Sequence, residues 1–125
     1  MINFRAVAFA ALSATLLAAV PAAAHDPTPR HGGRVVAAGT YHVELVAKGG
    51  QVEVYLLDHD DKPVPVKGRK GVAILVVDGK SVRIPLEASD STKLTGKGQG
   101  ALPARPKGVV QITEPTGGTV QARFN

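Results

Sequence analysis

Short runs rich in β-branched residues, separated by turn-forming residues, recur along the chain from Arg34 onward. Runs of this kind are typical of β-strands joined by hairpins, and this region lacks the 3.6-residue apolar period of a helix. The pattern therefore predicts an all-β domain, a small sandwich or barrel of seven or eight mainly antiparallel strands. The expected strands are 34–37, 41–47, 51–57, 72–77, 81–87, 93–96, 108–113 and 119–124.

The first hairpin has a register that the sequence itself predicts. If Gly49 and Gly50 form a two-residue turn, Lys48 lies opposite Gln51 and the pairing of both strands follows. A slip of one residue would move every apolar side chain to the other face, so the alternation supports this register. The expected core face carries Val43, Leu45, Ala47, Val52, Val54 and Leu56, whereas the opposite face carries His42, Glu44, Tyr55 and, beyond the strand, His59.

Segment 72–77 is nearly continuous in apolar residues, which predicts a central strand buried on both faces. Asp78 and Gly79 form the next expected turn. Pro85 lacks a backbone N–H and predicts an edge or a bulge in the strand that follows. The segment 97–107 is rich in glycine, proline and alanine and is expected to be a loop.

The first 24 residues have the three parts of a secretory signal, which are a positive start at Arg5, an apolar run over 7–20 and a small-residue site ending at Ala24. The run is shorter than the roughly 20 residues that a membrane span needs. We therefore expect cleavage after Ala24, a flexible arm over 25–33, and a single exported domain over 34–125 without a membrane anchor.

Composition excludes several kinds of site. The chain has no cysteine, and its one methionine is Met1, so thiolate and thioether metal sites and cysteine nucleophiles are excluded from the mature chain. The net charge is +5, but the basic residues are scattered and few aromatic residues accompany them, so nucleic-acid binding is not expected. No nucleophile-elbow or phosphate-loop motif is present, which argues against an enzyme.

The four histidines are the strongest candidate metal ligands, and imidazole with carboxylate suits Zn²⁺, Cu²⁺, Ni²⁺ or Co²⁺. His42 and His59 share the outer face of the hairpin as diagonal neighbours, whose Cα atoms are expected about 7–8 Å apart. Glu44 lies two residues along the same face, and His31 could fold over it as a third imidazole. His25 would carry a free α-amine after cleavage, and the two nitrogens together could chelate Cu²⁺.

Three acidic residues surround His59 and would supply negative charge to a cation bound there. Asp58, Asp60 and Asp61 do not form a calcium loop, because such a loop would need glycine at Pro63 and glutamate at Arg69. Turn formation is the better interpretation of this segment.

Three elements occur in a fixed order in the first half of the mature chain: His31 followed by two glycines, YHVELV from Tyr41, and VYLLDHDDKPV from Val54. In these elements the chain resembles the small periplasmic metal-binding domains of bacterial heavy-metal efflux systems, which occur alone or near the amino terminus of adaptor subunits. The similarity extends over 31–124. The chain lacks the helical hairpin of a full adaptor and the methionines of Cu(I) sites found in some relatives.

The resemblance implies a periplasmic location, a sandwich-like β fold and capture or buffering of Cu, Zn, Ni or Co ions, with Cu²⁺ or Zn²⁺ as the expected cargo. It points to His31 and His42 first and to His59 next, and it implies an efflux adaptor or pump component as a partner. One alternative is an exported interaction module that binds another protein without metal. Another is a carbohydrate- or envelope-binding domain, for which Tyr55 would be the aromatic platform.

Overall fold

The computed structural model describes residues 27–125, so the expected signal segment and His25 lie outside the described residues. The described part is all-β, as predicted, and contains no helix that is long and apolar enough to cross a membrane. Each expected strand is present with its ends displaced by two residues at most. The strands are β1 Arg34–Ala38, β2 Tyr41–Lys48, β3 Gln51–Leu57, β4 Lys70–Val77, β5 Lys80–Ala88, β6 Lys93–Lys97, β7 Lys107–Thr113 and β8 Thr119–Phe124.

The strands form one antiparallel sheet in the order β1-β2-β3-β6-β5-β4-β7-β8, curled into a nearly closed barrel. The two end strands, β1 and β8, are in contact without a hydrogen-bonded ladder between them. Arg34 of β1 bridges this gap, because its guanidinium donates hydrogen bonds to the carbonyl oxygens of Pro106 and Asn125. The same guanidinium lies over the ring of Phe124, 5.9 Å from its centroid.

The register predicted for the first hairpin is confirmed residue for residue, from Lys48 opposite Gln51 to His42 opposite Leu57. Because strand side chains alternate between faces, this register sends one row of apolar side chains into the barrel. The barrel interior is filled by the buried residues Val43, Leu45, Val52, Val54, Leu56, Ala73, Leu75, Ile84, Leu86, Leu94, Val110, Ile112, Ala122 and Phe124.

The expectation that 72–77 is buried on both faces is wrong. β4 is central in the sheet, but only its inward side chains, such as Ala73 and Leu75, are fully buried. Val72 and Ile74 point outward and are half-buried, and Val76 is 44 % exposed. Since no other element of residues 27–125 packs on this outer face, the continuous apolar pattern reflects an uncovered surface instead of a second core.

The sheet is weakest between β5 and β6, which share only two residue pairs. Pro85 lies just before this short pairing, opposite Val72 of β4, so the first part of β5 pairs with β4 alone. Pro85 is therefore at an edge only on the β6 side of β5, and on the other side it is paired with β4. Gly96 lies here against the Pro85 carbonyl oxygen, and a Cβ on Gly96 would come within 2.3 Å of that oxygen.

The change Gly96→Ala should lower the free energy of unfolding by about 2 kcal/mol, because overfilling a packed position typically costs about 1–3 kcal/mol. The added methyl group would collide with the Pro85 carbonyl oxygen of β5. If β5 and β6 moved apart to make room, they would lose part of a pairing that has only two residue pairs. Urea unfolding followed by circular dichroism measures the loss. Gly100→Ala is the matched control, because a Cβ there has nothing within 4 Å. Equal stabilities of the two variants would contradict the close packing at this seam.

Candidate metal centre

Glu44 is the one charged side chain among the buried residues of the described chain, and its exposed fraction is 0 %. Its Oε1 accepts hydrogen bonds from the backbone N–H of Arg30 at 3.0 Å and from Nδ1 of His31 at 2.9 Å. Its Oε2 accepts from the backbone N–H groups of His31 at 2.8 Å and Gly33 at 3.0 Å. A carboxylate offers about four lone-pair directions, so this carboxylate is fully used. Glu44 therefore fastens the segment 30–33 across the outer face of β2.

The charge of Glu44 survives burial because of these hydrogen bonds. Burial by itself would raise the pKa of the carboxyl, since it penalises the charged form. The hydrogen bonds from His31, Gly33 and Arg30 act in the opposite direction, and the net effect is a pKa below its usual range. The carboxylate thus stays ionised at neutral pH in a site without water contact.

His31 is held by two partners at once. Its ring is stacked on the ring of Tyr55, with centroids 3.6 Å apart and planes 6° apart, while Nδ1 contacts Glu44. The Tyr55 hydroxyl in turn donates a 2.7 Å hydrogen bond to Glu53, which lies 3.5 Å from Nζ of Lys93. Burial and the Glu53 contact raise the pKa of Tyr55 to about 12, so its hydroxyl keeps its proton. The His31 ring is positioned chiefly as part of the arm's attachment to β2 and β3.

A second cluster lies where β2 begins and β3 ends. The rings of His42 and His59 meet edge to face, with centroids 6.1 Å apart and planes at 88°. Nδ1 of His42 lies 3.8 Å from Oδ1 of Asp61, which is longer than a hydrogen bond. This nitrogen is buried and has no hydrogen-bond partner among the described residues.

The turn after β3 positions His59 and Asp61 beside His42. Asp58 begins the turn, and its Oδ1 accepts hydrogen bonds from the backbone N–H groups of Asp60 at 2.8 Å and Lys62 at 2.9 Å. Asp61 has a φ of 59°, a left-handed conformation that aspartate tolerates better than most residues. The acidic segment is thus built as a turn, as the sequence predicted.

The structure brings together two of the proposed ligands, His42 and His59, and adds Asp61 to them. It leaves His31 and Glu44 bound to each other, and His25 lies outside the described residues. Within 27–125, no group of three or more histidine, cysteine, aspartate or glutamate side chains is arranged to hold a metal ion. A complete three-histidine site therefore stays a prediction.

The sequence did not reveal the role of the arm's backbone. The N–H groups of Arg30, His31 and Gly33 all turn towards one carboxylate. Gly33 approaches β2 so closely that a Cβ would come within 2.3 Å of the Leu45 carbonyl oxygen, so only glycine fits there. Two sequence features could have indicated this role: the two glycines before β1, and a lone glutamate on the outer face of the apolar strand β2.

Comparisons of the chain with known protein families, with curated proteins and with solved structures found no match.

Replacement of Glu44 by glutamine should lower the free energy of unfolding by about 2–3 kcal/mol, because the new amide N–H₂ faces backbone donors that lose their acceptor. Hydrogen exchange at the amides of His31 and Gly33 should speed up in parallel, since the arm loses its attachment. Glu53→Gln is the matched control, because its amide oxygen can still accept the Tyr55 hydrogen bond. Equal losses in the two variants would contradict the role given to Glu44.

The wild-type protein and the Glu44→Gln variant also allow a test of the pH dependence of stability. Because the folded-state pKa of Glu44 is below its ordinary value of 4.5, the carboxylate contributes its full stability above that value. The contribution is lost as the pH falls through the folded-state pKa. The stability difference between wild type and Glu44→Gln should therefore be constant near neutral pH and shrink in acid. A difference that grows as the pH falls would contradict this assignment.

Proposed function

We propose that the protein is exported and binds a divalent transition-metal ion as cargo, with His42 and His59 as its first ligands. The function would be to capture or buffer Cu, Zn, Ni or Co ions outside the cytoplasm, in association with efflux or resistance. The single observation that carries the proposal is the meeting of two imidazoles and a carboxylate at one end of the β2-β3 hairpin.

The distances in this cluster are longer than those of a formed metal site, so the ligands would have to approach one another when an ion binds. Zinc lies about 2.0–2.1 Å from an imidazole nitrogen and about 2.0–2.2 Å from a carboxylate oxygen, so two such ligands are about 3.3 Å apart at a tetrahedral angle. Nδ1 of His42 and Oδ1 of Asp61 are 3.8 Å apart, half an ångström more. Two imidazoles on one zinc would have their centroids about 5 Å apart, compared with 6.1 Å for His42 and His59.

The unpartnered nitrogen of His42 also supports the proposal. A buried polar atom without a hydrogen bond typically costs about 1–3 kcal/mol, so native structures rarely keep one without a reason. A metal ion between His42 and Asp61 would satisfy this nitrogen. Nδ1 of His42 and Oδ1 of Asp61 would have to approach by about half an ångström for this. His59 is exposed, as is 40 % of the Asp61 side chain.

An incomplete site suits cargo better than a resident structural ion. Structural zinc sites use four protein ligands, whereas a site with three protein ligands leaves one position for water or for another donor. Two imidazoles and one carboxylate would therefore leave a fourth position open, through which the ion could be passed on. An acceptor protein could supply the missing ligand and take over the cargo, which fits the adaptor or pump component implied by the resemblance.

Export is proposed from the sequence of 1–24, and metal specificity from the residue types available. Without cysteine, and with no methionine after cleavage, the donor set favours Zn²⁺ or Cu²⁺ over Cu(I). His25 would offer an independent chelate through its own α-amine. If the histidines bind no metal ion, the alternative function is an exported module that binds another protein.

Calorimetric titration of the mature chain from His25 with Zn²⁺ should give one site of micromolar affinity or tighter. The double change His42→Ala with His59→Ala should weaken binding at least about 100-fold, because loss of even a supporting residue typically costs about 10–100-fold. His25→Ala should leave Zn²⁺ binding unchanged, which separates the cluster from the amino-terminal chelate.

His31→Asn is the matched control, because an asparagine amide can donate to Glu44 in place of Nδ1 while the imidazole is removed. Unchanged zinc affinity in this variant would support the His42 and His59 site. Loss of binding in His31→Asn, or tight binding retained in the double variant, would contradict it.

A further inference from the structure

The outer face of β5, β4, β7 and β8 is a second surface with a defined pattern. One row of opposed residues crosses all four strands, in the order Arg83, Ile74, Val109 and Arg123. The neighbouring row places Val76 of β4 opposite Lys107 of β7. We name these six residues the basic-apolar face. Neighbouring strands are about 4.8 Å apart, so the row between the two arginines spans about 14 Å.

The apolar centre of the basic-apolar face is open. Val76 is 44 % exposed and is the large hydrophobic residue most exposed among the described residues, while Ile74 and Val109 are half-buried. Val72 and Pro85 lie opposite each other in the next row and extend the apolar strip along the strands. Exposed apolar strips rimmed by polar residues are typical of interaction sites.

The three charged residues of the basic-apolar face, Arg83, Lys107 and Arg123, are all cations and all exposed. The acidic Glu87 lies on the same side of β5 but beyond Pro85, at the end of the strip away from Lys107 and Arg123. Arg34 of β1 donates a hydrogen bond to the backbone oxygen of Asn125, which lies next to Lys107. A further cation therefore lies beside the basic-apolar face. Positive potential next to an apolar surface attracts partners that carry carboxylates.

A shallow depression of about 350 Å³ gives the face an anchoring point. The residues that line it include the cations Lys107 and Arg123 and the apolar residues Val76 and Val109. Lys107 and Arg123 are diagonal neighbours across β7 and β8, about 7–8 Å apart, so one carboxylate can lie between them. A concave site of this kind suits a single anchoring side chain of a partner.

We propose that the basic-apolar face binds an extended segment of another protein in which an acidic and an apolar side chain stand two residues apart, so that both point to the same side of the segment. In such a segment, a carboxylate would lie between Lys107 and Arg123 while the apolar side chain two residues along packs on Val76, Ile74 and Val109. A second copy of this chain is a poor occupant, because the same cations would face each other. A lipid surface is disfavoured, since the face has no tryptophan or tyrosine to anchor it at a membrane interface.

This proposal is independent of the metal site, because the two surfaces share no residue. It would hold for a cargo protein that docks on its acceptor and also for an interaction module without metal. The face is small compared with the roughly 800 Å² that each partner buries in a stable complex, so it predicts weak and salt-sensitive docking.

The test uses nuclear magnetic resonance titration of the mature protein with a capped peptide of sequence Glu-Ser-Val-Ser-Glu, in which both glutamates and the valine point to the same side when the peptide is extended. We expect saturable binding in the range of about 1 mM or tighter, with amide shifts confined to β4, β5, β7 and β8, and with affinity falling as salt is raised. Matched peptides with glutamine in place of glutamate, or glycine in place of valine, should bind at least about tenfold more weakly, since each removes one of the two recognised features.

Two charge-reversed proteins separate this face from general electrostatics. Lys107→Glu with Arg123→Glu should weaken the peptide at least about tenfold. Lys48→Glu with Lys97→Glu makes the same change in net charge at another depression, whose remaining walls are Gln51 and glycines, and should leave the affinity nearly unchanged.

Equal losses in the two double variants would overturn the proposal, because the attraction would then be unspecific. Absence of saturable peptide binding would also overturn it. Binding of phosphatidylglycerol vesicles through the same residues, without peptide binding, would replace the protein partner by a membrane surface.

Discussion

The buried carboxylate of Glu44 is the contact on which the outer face of the β2-β3 hairpin depends. A charge without water contact is tolerated only when it is fully hydrogen-bonded, and four donors from Arg30, His31 and Gly33 meet that condition. The result is an arm fixed across β2, with His31 stacked on Tyr55. Among residues 27–125, this contact separates the three histidines into His31, which serves the fold, and His42 and His59, which lie at the end of the hairpin.

The fold could be predicted because local signals agreed with the global pattern. The Gly49-Gly50 turn and the alternation on both sides of it determined the first register, and the Asp78-Gly79 turn separated β4 from β5. The continuous apolar segment 72–77 was misjudged because periodicity reports which residues are apolar and not what covers them. In a single curled sheet the outer face of β4 has no second layer, so Val76 is left exposed.

The candidate site could be predicted only in part. Register alone placed His42 and Glu44 on one face and His59 beyond it, and the meeting of His42 with His59 follows from that. The capture of Glu44 by backbone N–H groups was not visible, because backbone donors carry no sequence signal apart from the flanking glycines. The closeness of Asp61 to His42 depends on the left-handed turn at Asp61, which a list of acidic residues does not reveal.

We propose that a metal ion binds between His42 and His59 while His31 stays attached to Glu44. Long-range ¹H–¹⁵N spectra of the imidazole rings, recorded before and after one equivalent of Zn²⁺, test this most directly. We expect large shifts of the ring nitrogens of His42 and His59 and unchanged signals from His31. Shifts confined to His31 or His25, or no shift in any ring, would contradict it.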